Sequence, residues 1–338
     1  MAHVRSALVL LAVLAMSASE RPVLAQAPPL ELYAVSHLFA LPTATTTRLF
    51  GMGGFVTCIQ DDGFGNPAFA GTLEAYHTVG RYSSTDFDSG LKLKGEQCSV
   101  AIPLKKGRKG LQITGFRLKS DPAVPVGLPP GAPAIGYDEW DLAIHYGQRV
   151  GRSWVVGIGL SPVFHNSTDF RLPGPPGQVA HFRTTVDEGC RLGALYQFEH
   201  GGWAGLVYDK YHEDLTATGP MIPGSPVTAR YSSEEIIIGV SQPITERVLG
   251  AVEWQQLTTE GNGTKVGDSG FRVGIEAIAS DRWTVRLGTN DGAFCAGLGY
   301  GDSDWSVQYA FMKDWNDDSV GAIFGGSDTH QLELTYCW

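Results

Sequence analysis

From residue 72 to the carboxyl terminus, hydrophobic and polar residues alternate with a period of two. This is the repeat of a β-strand, whose successive side chains point to opposite faces. Trp140, Leu142, Ile144 and Tyr146 fall on one side of a run that puts Asp141, Ala143 and His145 on the other. The same separation recurs with Trp154, Val156, Ile158 and Leu160, with Phe271, Val273, Ile275 and Ala277, and with Trp305, Val307, Tyr309 and Phe311. It returns at the end of the chain, where Leu332, Leu334, Tyr336 and Trp338 oppose Gln331, Glu333, Thr335 and Cys337. Fourteen strands are predicted, at about 73–84, 89–104, 110–120, 138–148, 153–165, 183–199, 202–216, 228–242, 246–259, 268–280, 282–290, 293–300, 304–314 and 328–338.

The connections between these runs fall into two alternating classes. Short ones are expected at 105–109, 148–152, 200–201, 242–246, 280–281 and 301–304, and long ones at 120–137, 166–182, 217–231, 259–267 and 313–329. Eleven of the nineteen prolines lie in 121–135, 172–178 and 219–227, which marks those segments as loops, where proline breaks no hydrogen-bond ladder. Trp154, Trp203, Trp283 and Trp305 each begin a strand that leaves the short-turn side, and Trp338 ends one that returns to it. All five indoles are therefore expected at one rim, pointing outward as a periplasmic aromatic girdle, because Trp prefers a membrane–water interface. These features describe an all-β fold: a 14-stranded antiparallel transmembrane barrel over 73–338, apolar outside and polar within. Asp141, His145, Arg191, Glu253, Arg272, Glu276, Arg286 and Glu333 are placed on the lumen face, where mixed signs suit structural ion pairs. The last strand, with its terminal aromatic, resembles the closing strand of bacterial outer-membrane barrels. That resemblance implies recognition by the barrel-assembly machinery.

Composition fits this class. Gly at 43 of 338 residues is enriched and charged residues are 18%, while mean hydropathy is −0.05. Alternation lets a barrel wall be lipophilic without a hydrophobic average. Residues 1–25 read as a signal peptide, with Arg5, an apolar run over 7–16 and short side chains before a cleavage point after Ala25. The expected location is the bacterial outer membrane, with lipid and lipopolysaccharide against the wall. A net charge of −10 argues against a nucleic-acid partner. Five widely spaced cysteines fit neither a disulfide framework nor a metal cluster. No metal, cofactor or nucleotide motif is read. His165, Asn166 and Ser167 bring a base and a hydroxyl close together, as ester hydrolysis requires. Their surroundings match no such enzyme, so a turn is the better reading and no catalytic residue is assigned.

Residues 26–72 do not alternate. They contain Gly51, Met52, Gly53 and Gly54, then the acidic pair Asp61 and Asp62, then Asn66, Pro67 and Ala68. In this order the segment resembles the pre-barrel region of the FadL/TodX-type outer-membrane transporters of hydrophobic compounds and of the related PorV-like proteins. Two departures stand out: the acidic pair is close to Asn66, and Phe69 and Ala70 replace the usual Gly-Leu. The resemblance implies that 26–72 is a hatch inside the barrel. It also implies passive uptake of a hydrophobic small molecule, such as a long-chain fatty acid or an aromatic hydrocarbon. A PorV-like secretion scaffold and an outer-membrane lipid hydrolase are the alternatives. FadL-like barrels carry a kink in the third strand that opens the wall sideways. Here that strand shifts its apolar parity between Ile113 and Phe116. Either a bulge near Thr114 and Gly115 forms a lateral opening beside Phe116, or Phe116 simply turns inward.

Overall fold

In the computed structural model the described residues are 46–59, 65–124, 134–171, 178–220, 222, 224–261, 263–314 and 325–338. The fourteen strands are β1 (His77–Phe87), β2 (Lys92–Lys105), β3 (Lys109–Asp121), β4 (Ala134–Val150), β5 (Trp154–Arg171), β6 (Gln178–Gln197) and β7 (Trp203–Thr218), followed by β8 (Val227–Thr245), β9 (Val248–Gly261), β10 (Thr264–Ile278), β11 (Trp283–Asn290), β12 (Ala293–Gly301), β13 (Trp305–Lys313) and β14 (Ser327–Cys337). Each pairs antiparallel with its sequence neighbours. β1 pairs with β14 from His77↔Cys337 to Phe87↔Ser327, and this closes the barrel.

The period-two pattern sets which side each residue faces. Ile236, Ile238 and Val240 are exposed on the outer wall, while Glu235, Ile237 and Ser241 are buried within. The outer face carries an apolar belt that includes Ile158, Leu160, Leu206, Val273, Leu287 and Leu334. A closed sheet with such a belt satisfies its backbone internally and presents hydrocarbon to lipid, the only way strands can cross a bilayer.

The connections after even-numbered strands define a turn rim, and those after odd-numbered strands a loop rim. At the turn rim Trp338 stacks on Tyr76 (centroids 4.8 Å apart), Trp154 meets Tyr196, and Tyr300 lies between Trp283 and Trp305. Trp203 departs from the expected girdle. It faces inward, opposite the buried Ser241, and meets the ring of Phe69 edge-on at 6.0 Å. The outward positions of β7 begin with Ala204 and Leu206, so the parity of the strand decides the matter.

Two further expectations need correction. The long loop expected over 259–267 is instead strand on both sides of a short connection at 262–263. Above the lipid belt a strand has no need of an apolar outer face, so its pairing continues where the alternation stops. The break expected at Gly115 is also absent. β3 pairs without interruption with β2 from Lys92↔Asp121 to Pro103↔Gly110, and with β4 from Lys109↔Gln148 to Lys119↔Asp138. Gln112, Thr114, Phe116 and Leu118 are all buried on the lumen face. That face changes from polar to apolar half-way up, which mimics a slip of register. Gly115→Val should therefore be tolerated, since no atom lies within 4 Å of an added Cβ. Heat-modifiable gel migration like that of the unaltered protein is the expected result.

Candidate functional site

The inner wall is lined by the described residues that precede β1, 46–59 and 65–76. Thr46 caps the short helix α1 (Thr47–Phe50), and Asn66 caps a 3-10 turn (Pro67–Thr72). Between and around these turns the chain meets the strands in reverse order. The Thr47 amide donates to Glu333 of β14 at 2.9 Å. Phe50 packs on Ala293 and Cys295 of β12 and on Ala310 and Met312 of β13. Arg48 forms a two-pronged ion pair with Glu276 of β10, at 2.9 and 2.7 Å. The Val56 and Thr57 amides donate to Glu253 of β9 at 3.0 and 2.7 Å. Ser241 of β8 donates to the Cys58 carbonyl at 2.6 Å. Asn66 Nδ2 donates to the carbonyls of Ala194 (β6) and Leu206 (β7), while its Oδ1 accepts the Ala68 amide at 3.0 Å. Leu73 packs against Ala101 of β2. The segment is thus a hoop laid against the wall around its circumference.

Two kinds of wall residue hold the hoop. The first is inward-facing glycine. A Cβ on Gly297 would approach Gly51, one on Gly274 or Gly288 would meet Met52, and one on Gly205 or Gly239 would strike Thr57. Added atoms at Gly157 and Gly193 would collide with Pro67, those at Gly147 with Gly71, and those at Gly110 with Ala70. At most of these positions the absent side chain lets two backbones touch, the usual reason for glycine in a strand, and at Gly193 and Gly239 it makes room for the side chains of Asn66, Pro67 and Thr57. The second kind is carboxylate. Glu253 also pairs with Arg272, Glu276 with Arg286 at 2.6 Å, and Glu333 with Arg81 at 3.1 Å. Backbone N–H groups and guanidinium groups thus converge on three buried carboxylates, which suits charge-assisted hydrogen bonding.

All eight lumen-lining polar residues named from the sequence occupy inward positions. Five of them, Glu253, Arg272, Glu276, Arg286 and Glu333, form the hoop's clamps. Arg191 instead pairs with Asp209 of β7 at 2.7 Å, while Asp141 and the buried His145 lie on β4, beyond the intervening β5. Gly51, Gly53, Gly54, Asn66, Pro67 and Ala68 are buried in the hoop, whereas Asp61 and Asp62 lie outside the described residues. His165 and Ser167 face outward, and Ser167 Oγ donates to the Asp138 carbonyl at 3.4 Å rather than taking part in a triad. The wall glycines were missed from the sequence. Their only signal was glycine at lumen-parity positions of β3 to β8 and β10 to β12.

One stretch of wall lacks pairing. β5 and β6 pair with each other up to Gly159↔Arg191 and again from His165↔Thr185, but not across residues 160–164 and 186–190, which keep partners only on β4 and β7. Pro162, which has no N–H to donate, lies in the gap. A register shift between Leu142 and Ile144 adds a residue to β5, and another between Val186 and Glu188 marks β6. Leu160, Val163 and Leu192 are exposed on its outer side.

Solved structures share this architecture. The toluene transporter TbuX of Ralstonia pickettii matches with a TM-score of 0.62 at 13% identity, over 89% of this chain and 100% of that one. The fold is that of the FadL/TodX-type channels. The monoaromatic hydrocarbon channel CymD matches at 0.58 with 14% identity, over 89% of this chain and 99% of its own. A Pseudomonas aeruginosa FadL homologue matches at 0.57 with 14% identity, over 87% and 98%. No protein-family model and no curated protein matches the sequence.

Two outcomes follow for the hoop. Gly288→Val forces a side chain onto the Met52 backbone and should loosen the hoop, raising single-channel conductance in planar bilayers. Gly80→Val, with open space around its Cβ, should leave conductance unchanged. Glu253→Ala strands Arg272 and the Val56 and Thr57 amides, a loss of about 3 kcal/mol for a broken buried pair. It should show as a lower temperature for the heat-induced gel shift.

Proposed function

We propose that the chain is an outer-membrane channel for passive uptake of hydrophobic small molecules, with the hoop as its hatch and the wall between β5 and β6 as its exit. In this reading the turn rim faces the periplasm and the loop rim the outside, as short turns and longer loops favour. The hoop runs along the wall from the turn-rim ends of β5 to β7 to the loop-rim ends of β11 to β13. On β2 to β7 the buried inner face towards the loop rim carries Leu93, Phe116, Leu118, Ile135, Phe170, Phe182 and Leu215, interspersed with polar side chains such as Glu139, Thr168, Thr184 and Glu213. A hydrophobic molecule can partition into such a lining without an energy source.

The observation that carries this reading is the unpaired stretch of β5 and β6. Backbone groups left unpaired towards lipid cost several kcal/mol each, so such a gap is a marker of use rather than a neutral defect. Its position is also suitable. Leu160 is six residues beyond Trp154, roughly 20 Å along the strand and about 15 Å above the turn rim at the usual tilt. The gap therefore opens from mid-membrane into the outer leaflet. The neighbours named as toluene and monoaromatic hydrocarbon channels agree with a hydrophobic cargo.

A reversible staple tests the exit. The register on either side of the gap sets Leu160 opposite the free Cys190. In Leu160→Cys, oxidation should join β5 to β6 and lower initial toluene uptake several-fold, and a reductant should restore it. Uptake that stays unchanged when the disulfide is shown to form would rule out this exit.

A further inference from the structure

We infer that the turn rim at β2 to β5 is a docking surface for the phosphate head group of an anionic phospholipid such as phosphatidylglycerol. On the orientation proposed above this lipid belongs to the inner leaflet, while the surface itself is independent of that orientation. Its first basis is charge. The turn from β2 to β3 carries Lys105, Lys106, Arg108 and Lys109, and the turn from β4 to β5 carries Arg149 and Arg152. These six cations lie on two turns without Asp or Glu, in a chain whose net charge is −10. One carboxylate, that of Glu74, lies against Gly107. Across the rim the balance is reversed: Glu246, Asp281, Asp302 and Asp304 outnumber Arg247 and Arg282 on the turns that follow β8, β10 and β12.

The second basis is that the two turns form one fixed surface. Lys109 pairs with Gln148 across β3 and β4, and the Arg149 amide donates to the Arg108 carbonyl at 2.8 Å. The Arg149 guanidinium then reaches the carbonyls of Gly107 at 3.0 Å and Arg152 at 2.9 Å, and Gln197 Oε1 at 2.9 Å. It staples both turns through neutral acceptors, so its charge adds to the patch. The Gly107 amide donates to the Leu73 carbonyl at 2.7 Å, which seats the first turn on the end of the hoop.

The third basis is what the patch leaves open and where it lies. Lys105, Lys106, Arg108, Lys109 and Arg152 are exposed and form no ion pair among the described residues. Exposed cations elsewhere on the wall keep a carboxylate, as Lys92 does with Asp86 at 2.8 Å, Arg171 with Asp169 at 2.9 Å and Lys210 with Glu234 at 2.7 Å. On the outer side of the same two turns, Leu104, Val150 and Trp154 are exposed at the end of the lipid belt. An anion that meets all of these must arrive with hydrocarbon beside it. A phospholipid does so, whereas dissolved phosphate or a soluble acidic protein does not. Its phosphate takes the ammonium and guanidinium donors, its chains lie along Leu104 and Val150, and Trp154 sits at the depth that indoles prefer. Basic clusters beside a membrane span attract anionic lipid in this way, by about fivefold for each Lys or Arg near the surface.

Native mass spectrometry of the full chain in detergent, titrated with phosphatidylglycerol or with phosphatidylcholine of the same acyl chains, tests this. The first phosphatidylglycerol should bind at least about fivefold more tightly than the first phosphatidylcholine. The quadruple variant Lys105→Gln, Lys106→Gln, Arg108→Gln, Lys109→Gln should bring the two lipids towards parity. Arg247→Gln with Arg282→Gln, on the other side of the rim, should keep the preference. Heat-modifiable gel migration checks that each variant is folded, and the double variant Lys106→Gln, Arg108→Gln at the turn's tip should reduce the preference if the quadruple one does not fold. Equal binding of the two lipids by the unaltered chain would overturn the inference. So would a preference that survives in the folded variants, or inorganic phosphate that competes as well as the lipid. Binding in detergent does not depend on which rim faces the periplasm, so the channel reading and this one stand or fall separately.

Discussion

Everything in this molecule depends on one requirement: in lipid, no backbone N–H or C=O can rely on water. A sheet meets it only by having no edge, and the pairing of β1 with β14 removes the last one. Closure at fourteen strands fixes a circumference wider than the wall's own side chains can fill. The remaining space is taken by the chain itself, and the hoop is the consequence. It needs wall positions without side chains, supplied by glycines such as Gly157, Gly193 and Gly288. It also needs acceptors for backbone that no strand pairs, supplied by Glu253 and Glu333.

The same requirement gives the β5–β6 gap its meaning. Elsewhere the ladders run on through bulges near the rims, such as those beside Pro103 and Pro243. Only between β5 and β6 do the described strands lose five consecutive partners within the belt. The inner surface also changes character at this height, from paired ions below to a mixture of aromatic, aliphatic and polar side chains above.

The sequence made the barrel legible because lipid imposes its pattern directly. Where a strand touches hydrocarbon on one face and the lumen on the other, alternation follows, so the number of strands could be read. Where strands rise beyond the belt, as in β6 and β10, the outer face meets water and the pattern fades, so their ends were misplaced. The parity of Phe116 and Leu118 left two readings open because a lumen face can be apolar too, and of the two it is the inward Phe116 that the strand carries. Trp203 was misplaced because its residue type suggested an interface, whereas its parity sends it to Phe69. The gap was overlooked because Pro162 sits in a run that otherwise resembles its neighbours. The hoop's order around the wall depends on contacts between residues hundreds of positions apart, such as Thr47 with Glu333. No local pattern encodes these.

The hoop has a bearing on how such a barrel can change in evolution. Outer-membrane barrels are built of hairpins, and adding or deleting one is the simplest way to alter their width. Here Thr47 is moored to β14, Asn66 to β6 and β7, and Leu73 to β2, so the length of the inner chain matches the perimeter. An extra hairpin would separate those moorings by two strand spacings, roughly 10 Å, and leave some of the carboxylates without their amides. The segment therefore works as a measuring tape as well as a lining. Strand number is locked to a stretch of sequence outside the strands.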